Sequence, residues 1–220
     1  SGKSQRYFIV ETLGSGVATF DYNNDGWIDI YLVNSGQVLH RNQTAKNVLY
    51  RNNGDGTFTD TTKSSGTGDL GYGIGVTIGD YDNNGTADLY VTNYGKNVLY
   101  HNNGDGTFKD VTEKAGVGHP GCGTGCAFAD FDLDGDLDLY VANYVPKDQV
   151  MANTGSNGYR NPIFYDGEID VLYQNNGDGT FIIITPQLGD STIFRDARGL
   201  GVVAIDYNRD KFADIYIAND

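Results

Sequence analysis

Four short stretches of the chain share one arrangement of oxygen-bearing side chains. In the third, DFDLDGDLDLYVAN, Asp130, Asp132, Asp134 and Asp138 stand at positions 1, 3, 5 and 9 of a loop, with Gly135 at position 6. Alternate spacing lets a tightly curled loop aim its oxygens at one point. Hard oxygen ligands in that number suit Ca2+, which takes roughly six to eight. Asp136, at position 7, most simply offers its backbone carbonyl, as that position does in other calcium loops. The first copy is Asp21, Asn23, Asp25 and Asp29, with Trp27 at position 7. The second is Asp80, Asp82, Asn84 and Asp88, with Thr86 at position 7. The fourth is Asp206, Asn208, Asp210 and Asp214, with Phe212 at position 7. Asn in place of Asp keeps an oxygen and drops a charge. These residues form the expected metal set, one Ca2+ per loop, and no other cofactor is expected.

Glycine at position 6 permits a sharp turn at positive φ, because it has no Cβ to clash. The fourth loop carries Lys211 there. At positive φ it costs roughly 1 kcal/mol, and its amine opposes a metal. The fourth site is expected to be the weakest. An EF-hand needs an acidic residue at its last ligand position. Here that position holds Leu32, Val91, Val141 and Ile217, and the flanks read as strands.

Composition supports the same chemistry. The formal charge is −14, and the four loops supply thirteen of the 29 carboxylates at positions 1, 3, 5 and 9. Four Ca2+ would bring the charge to about −6, so much of the acidity reads as ligand charge. An acidic chain disfavours nucleic acid and anionic membranes as partners. No apolar run approaches the ~18 residues of a membrane span. The start, SGKSQRY, reads as a mature or trimmed end and says nothing about secretion. Calcium loops of this kind matter most where the ion is millimolar, so an extracellular location is expected.

The elements that must position the loops are strands. Each loop follows a short apolar run such as GVATF (16–20) and precedes another such as IYLVN (30–34). A second signature follows: NVLYRNNGDGTFTDTT at 47–62, NVLYHNNGDGTFKDVT at 97–112 and DVLYQNNGDGTFIIIT at 170–185. NNGDG between β-prone halves is a hairpin turn signal, and Asp55 reads as a turn former. One unit therefore holds four strands. The first loop aspartates are 59, 50 and 76 residues apart. A repeat of about 50 residues with four strands is what propeller blades show. The fold class is all-β: one β-propeller domain, or part of one, over 1–220, built of four-stranded antiparallel blades with calcium-binding β-hairpin loops. The blades are expected at about 13–62, 72–112, 122–185 and 198–220.

In DLYVAN, Leu139 and Val141 face one way and Tyr140 the other, as fits a strand buried on both faces. Tyr31, Tyr90, Tyr140 and Tyr216 are expected to pack between blades. Residues 144–169 read as a long surface loop inserted in the third unit, with no helix; VTEKAG at 111–116 could form a single turn. Residues 6–12, RYFIVET, read as a strand that could complete the last unit, which lacks its outer hairpin. Otherwise the chain is a fragment, the favoured reading, or its open edges self-associate. Cys126 aligns with Val17, Val76 and Val202, so it reads as a buried hydrophobe or as a disulfide partner of Cys122.

These residues resemble FG-GAP, or VCBS, repeats, the blades of integrin α-subunit propellers. The long insert and GLGVVAIDYNRDKFADIYIAND look more narrowly like the ASPIC/UnbV type, similar to cartilage acidic protein. The resemblance implies Ca2+ in the hairpin between a blade's first two strands, and adhesion or matrix roles. Members of this type often carry cysteines in the third-unit insert, and this chain has none there.

Two functions of different class follow. The first is a non-catalytic extracellular binding or assembly module whose blades Ca2+ stabilises, with loops on the propeller faces taking a protein or glycan partner. The second is a carbohydrate-binding or carbohydrate-cleaving propeller of lectin or lyase type. Catalytic groups for the latter are hard to find. His101 fills a variable slot occupied elsewhere by Arg51 and Gln174 and reads as surface; His40 and His119 lie in loops. Asp166 and Glu168 read as solvated acids. Asn42-Gln43-Thr44 is a glycosylation sequon; Asn84-Gly85-Thr86 also matches but is discounted, because Asn84 is an expected ligand.

Overall fold

Alternating apolar runs between glycine-rich turns fold as strands in the computed structural model, which describes residues 7–36, 38, 45–152, 158–185 and 197–220. Blade 1 is β1 (Val17–Phe20), β2 (Asp29–Leu32), β3 (Val48–Asn52) and β4 (Phe58–Asp60). A single helical turn, α1 (Thr62–Ser65), leads to blade 2: β5 (Tyr72–Gly79), β6 (Asp88–Tyr94), β7 (Val98–Asn102) and β8 (Phe108–Asp110). After the turn α2 (Thr112–Ala115), blade 3 is β9 (Gly123–Ala129), β10 (Asp138–Asn143), β11 (Val171–Asn175) and β12 (Phe181–Ile183). Helix α3 (Lys147–Ala152) lies between β10 and β11, and β13 (Gly199–Ile205) with β14 (Asp214–Asn219) opens a fourth blade. Each sheet is an antiparallel meander in chain order.

The register is the same in every blade. Tyr31 lies opposite Ala18 and Leu49, Tyr90 opposite Thr77 and Leu99, and Tyr140 opposite Ala127 and Leu172. Period-2 alternation sends successive side chains to opposite faces. Leu89 and Val91 pack with Tyr31, Leu49 and Phe20 of blade 1, whereas Tyr90 packs with Leu139, Val141 and Tyr173 of blade 3. Tyr140 in turn meets Val202, Ile215 and Ile217 of blade 4. The tyrosine row is thus inter-blade packing, and Tyr216, with no described sheet beyond it, is 69% exposed.

The first strands of the blades run side by side and meet at glycine. Gly16 N donates to Ile74 O at 2.7 Å. A Cβ on Gly75 would stand 2.0 Å from Thr124 O, and one on Gly125 2.8 Å from Val202 N. Hydroxyls bridge the same seam: Thr92 Oγ1 donates to Thr124 O at 2.6 Å, and Thr124 Oγ1 to Gly199 O at 2.7 Å.

Two expectations need correction, and an alternative left open for the cysteines is decided. The segment read as a strand at 6–12 is, over Ile9–Thr12, a 3-10 turn, so it does not complete the last blade. Phe8, Ile9 and Val10 are buried in succession against Tyr72, Ile74, Cys122 and Tyr144. A run without period-2 alternation carried no true strand signal. The insert is not merely surface loop: it forms α3 and a 3-10 turn at Pro162–Phe164, and Val150 and Tyr165 join that same cluster. Cys122 and Cys126 are free thiols; Cys122 is buried and Cys126 half-buried against the blade 2–3 core. The sequon at Asn42 and His40 lie outside the described residues.

Candidate metal centre

All four loops close the bend between a blade's first two strands, and their own hydrogen bonds hold their shape. The position-1 carboxylate accepts two backbone N–H groups. Asp21 takes Asp25 N at 3.1 Å and Gly26 N at 2.7 Å; Asp80, Asp130 and Asp206 repeat the pattern. The position-5 oxygen accepts from position 7: Asp25 from Trp27 N at 2.9 Å, and Asn84, Asp134 and Asp210 likewise. Position 6 has positive φ in every copy: Gly26 at 86°, Gly85 at 87°, Gly135 at 95° and Lys211 at 82°. Position 4 does too, at Asn24, Asn83, Leu133 and Arg209. That second left-handed residue was not read from sequence, although Asn in two copies, a residue tolerant of this region, was the signal.

The position-9 aspartate is the buried root of the loop. Asp29 and Asp88 are wholly buried and Asp138 nearly so. One oxygen of Asp29 accepts Tyr22 N at 3.1 Å and the other Asn52 N at 2.7 Å, and Asp88 and Asp138 make the same pair of bonds. Asp214 accepts Tyr207 N but has no described third strand beside it and is only half-buried. The side chains of position 7 lean onto the hairpin turn of the same blade: a Cβ on Gly54 would meet the Trp27 ring at 2.8 Å, and one on Gly177 would meet Asp136 Oδ2 at 2.8 Å.

Among the described residues, two groups of carboxylate and imidazole side chains converge to within 4.8 Å: Asp130 with Asp132 and Asp138, and Asp82 with Asp88 and His101. Positions 1, 3 and 9 thus meet in loop 3, and positions 3 and 9 in loop 2. The chemistry suits a hard cation. Burial first, and then the neighbouring loop aspartates, push Asp29 and Asp138 above the ordinary carboxylate range. The same causes raise Asp88 to about 7. A buried carboxylate crowded by like charges lacks a counter-ion. A divalent ion placed among them inverts that balance. Oxygens already accepting one N–H keep a lone pair for it.

Two functional contributors escaped sequence reasoning. The first asparagine of NNGDG, read only as part of a turn, is in blades 2 and 3 a tie between loops. Asn102 Nδ2 donates to Ala87 O at 3.0 Å in its own blade and to Tyr22 O at 2.9 Å in the loop of blade 1. Asn175 Nδ2 does the same to Leu137 O at 3.0 Å and Tyr81 O at 2.8 Å. Loop aromatics reinforce the tie: the Tyr22 and Phe108 ring centroids are 6.0 Å apart, and those of Tyr81 and Phe181 5.8 Å. The second contributor is His101, which is not a free surface residue: its Nδ1 lies 3.2 Å from Asp82 Oδ2 and 3.5 Å from Asp88 Oδ1. The spare acids divide. Asp166 is exposed, held by Gln149 Nε2 at 2.7 Å, whereas Glu168 is half-buried and accepts Cys122 N at 2.8 Å, with His119 Nε2 at 3.6 Å. Asp55 caps its own turn by accepting Thr57 N.

No curated protein matches it. A solved structure of an Agrocybe aegerita lectin, described for specific recognition of non-reducing terminal N-acetylglucosamine, aligns at 20% identity and a TM-score of 0.45. The alignment covers 90% of this chain, which spans only 44% of the lectin chain. A family model for FG-GAP-like repeats matches residues 21–91 and 80–141, together more than half of the sequence. With its repeated loops and meander blades, this chain belongs to the FG-GAP-like repeat family.

Proposed function

We propose that this β-propeller unit is a non-catalytic binding or assembly module. In this reading Ca2+ fastens each blade's first bend, and loops on the blade ends take a protein or glycan partner in a calcium-rich, extracellular setting. The observation that carries it is the buried position-9 aspartate, held in one geometry in three blades, with no Lys or Arg paired to it among the described residues and only the imidazole of His101 beside Asp88. Asp21, Asp25 and Asn23 with Asp29, and their counterparts in the other loops, would hold the ion, which supplies positive charge and rigidity only. The fourth loop is the weakest, because Lys211 stands at positive φ and brings an amine to the position that holds glycine in the other three.

A structural role for the reactive groups supports the non-catalytic reading. Burial pushes the Cys122 and Cys126 thiols well above their ordinary range, which makes them inert. His101 belongs to a loop cluster, and His119 Nε2 lies 3.6 Å from Glu168 Oε1.

The test is thermal and calorimetric titration. With 1 mM Ca2+ and dissociation constants of ~0.1 mM, each occupied loop adds roughly 1.4 kcal/mol to the folded state. Chelator should therefore lower the melting temperature, and Asp130→Asn with Asp138→Asn should remove one binding equivalent. A melt indifferent to chelator refutes the proposal. A glycan array run with a polysaccharide depolymerisation assay separates partner binding from cleavage.

A further inference from the structure

One loop does not match its siblings. One slot on the third strand, the residue before the first asparagine of NNGDG, is Arg51 in blade 1, His101 in blade 2 and Gln174 in blade 3, at one register in all three. Gln174 Nε2 donates to Asp132 Oδ2 at 2.6 Å, which shows that this slot reaches the position-3 carboxylate. Arg51 is instead turned to Asn53 Oδ1 at 3.4 Å. In blade 2 the slot brings an imidazole nitrogen to Asp82 and to the buried Asp88, at 3.2 and 3.5 Å.

That nitrogen is sealed from solvent, yet it forms no hydrogen bond of acceptable geometry. A ring nitrogen aimed at two carboxylate oxygens without sharing a proton is placed to share a cation. The separations suit one: ligand atoms bound at 2.0–2.2 Å around a tetrahedral ion stand about 3.3–3.6 Å apart. Loop 2 is also poorer in free oxygens. Asn84 Oδ1 accepts both the amide and the hydroxyl of Thr86, which uses its two lone pairs. Ca2+ needs a full oxygen shell, whereas imidazole suits zinc and other borderline ions.

We infer that the blade 2 loop is a mixed nitrogen–oxygen site that takes a borderline divalent cation such as Zn2+ in preference to Ca2+, with His101, Asp82 and Asp88 as ligands. The inference rests on the metal-loop reading for the role of Asp82 and Asp88 and departs from it in the ion. The whole chain, freed of metal by chelator, is titrated with Zn2+ by calorimetry and with Co2+ by visible absorption, beside His101→Gln. Glutamine already occupies this slot in blade 3, so the variant should fold. Wild type should bind one Zn2+ about tenfold or more tighter than His101→Gln, and the intense Co2+ bands of a low-coordinate site should appear in wild type alone. The ring-nitrogen NMR shift of His101 should move on adding Zn2+, which tests the ligand without any variant. Equal Zn2+ affinity in the two proteins, or an unmoved His101 resonance, overturns the inference and leaves an imidazolium–carboxylate pair only. The two readings fail separately. Zn2+ bound through His101 with no Ca2+-dependent melt sinks the calcium module alone; a Ca2+-dependent melt with no His101-dependent Zn2+ sinks this inference alone.

Discussion

The asparagine ties allow a stability experiment with its own control. Asn175→Ala removes three hydrogen bonds: to Leu137 O, to Tyr81 O across the blade boundary, and from Gly177 N. At about 1 kcal/mol net per bond, with the partners left dry, the loss is roughly 3 kcal/mol. Asn102→Ala removes an equivalent set and should cost the same. Asn52 sits in the same NNGDGTF context, but among the described residues its side chain bonds only to Ile28 O and from Gly54 N, at a more exposed position. Asn52→Ala should therefore cost roughly 1 kcal/mol. The assay is urea unfolding in saturating Ca2+, with the midpoint shift read at constant slope. Equal losses in Asn52→Ala and Asn175→Ala would falsify the inter-blade tie, because the turn alone would then account for the effect.

Two further outcomes are expected. Lys211→Gly relieves a φ of 82° and should raise stability by roughly 1 kcal/mol while tightening Ca2+ at the fourth loop; an unchanged urea midpoint and calorimetric affinity would count against it. Asp170 is buried, bonded to Tyr140 Oη and Asn143 N, and burial raises its carboxyl above 3.8. Its stability contribution is present below the unfolded value and lost as pH rises through the folded one. Asp170→Asn, which matches Asn47 and Asn97 in the sister repeats, should flatten that part of the pH–stability curve, and a curve parallel to wild type would refute it.

The parts of this molecule that were legible in sequence are those fixed by local chemistry. Asp130, Asp132, Asp134 and Asp138 betray their loop by spacing, and NNGDG betrays its hairpin by turn preference. The alternation of Leu139, Tyr140 and Val141 named both faces of a strand. What escaped depends on neighbours far along the chain. His101 reads as a variable surface residue until the sheet sets it beside Asp88, thirteen positions earlier. Asn175 reaches a carbonyl 94 residues away. Ile9 and Val10 turned helical behind an extended Phe8, because Tyr72, Tyr144 and Tyr165 offered a pocket that no local pattern announces.

The glycine seam between first strands has a geometric corollary. Where Gly75 meets Thr124 and Gly125 meets Val202, main chain already touches main chain, so the hub is as thin as a polypeptide allows. Each blade is thus a wedge with a fixed thin edge. Away from that seam the blades are held apart by side-chain layers such as Tyr22 on Phe108 and Tyr81 on Phe181. Larger or smaller rings there would change how many wedges fill a circle, whereas a single methyl group at the hub would pry the wedges apart.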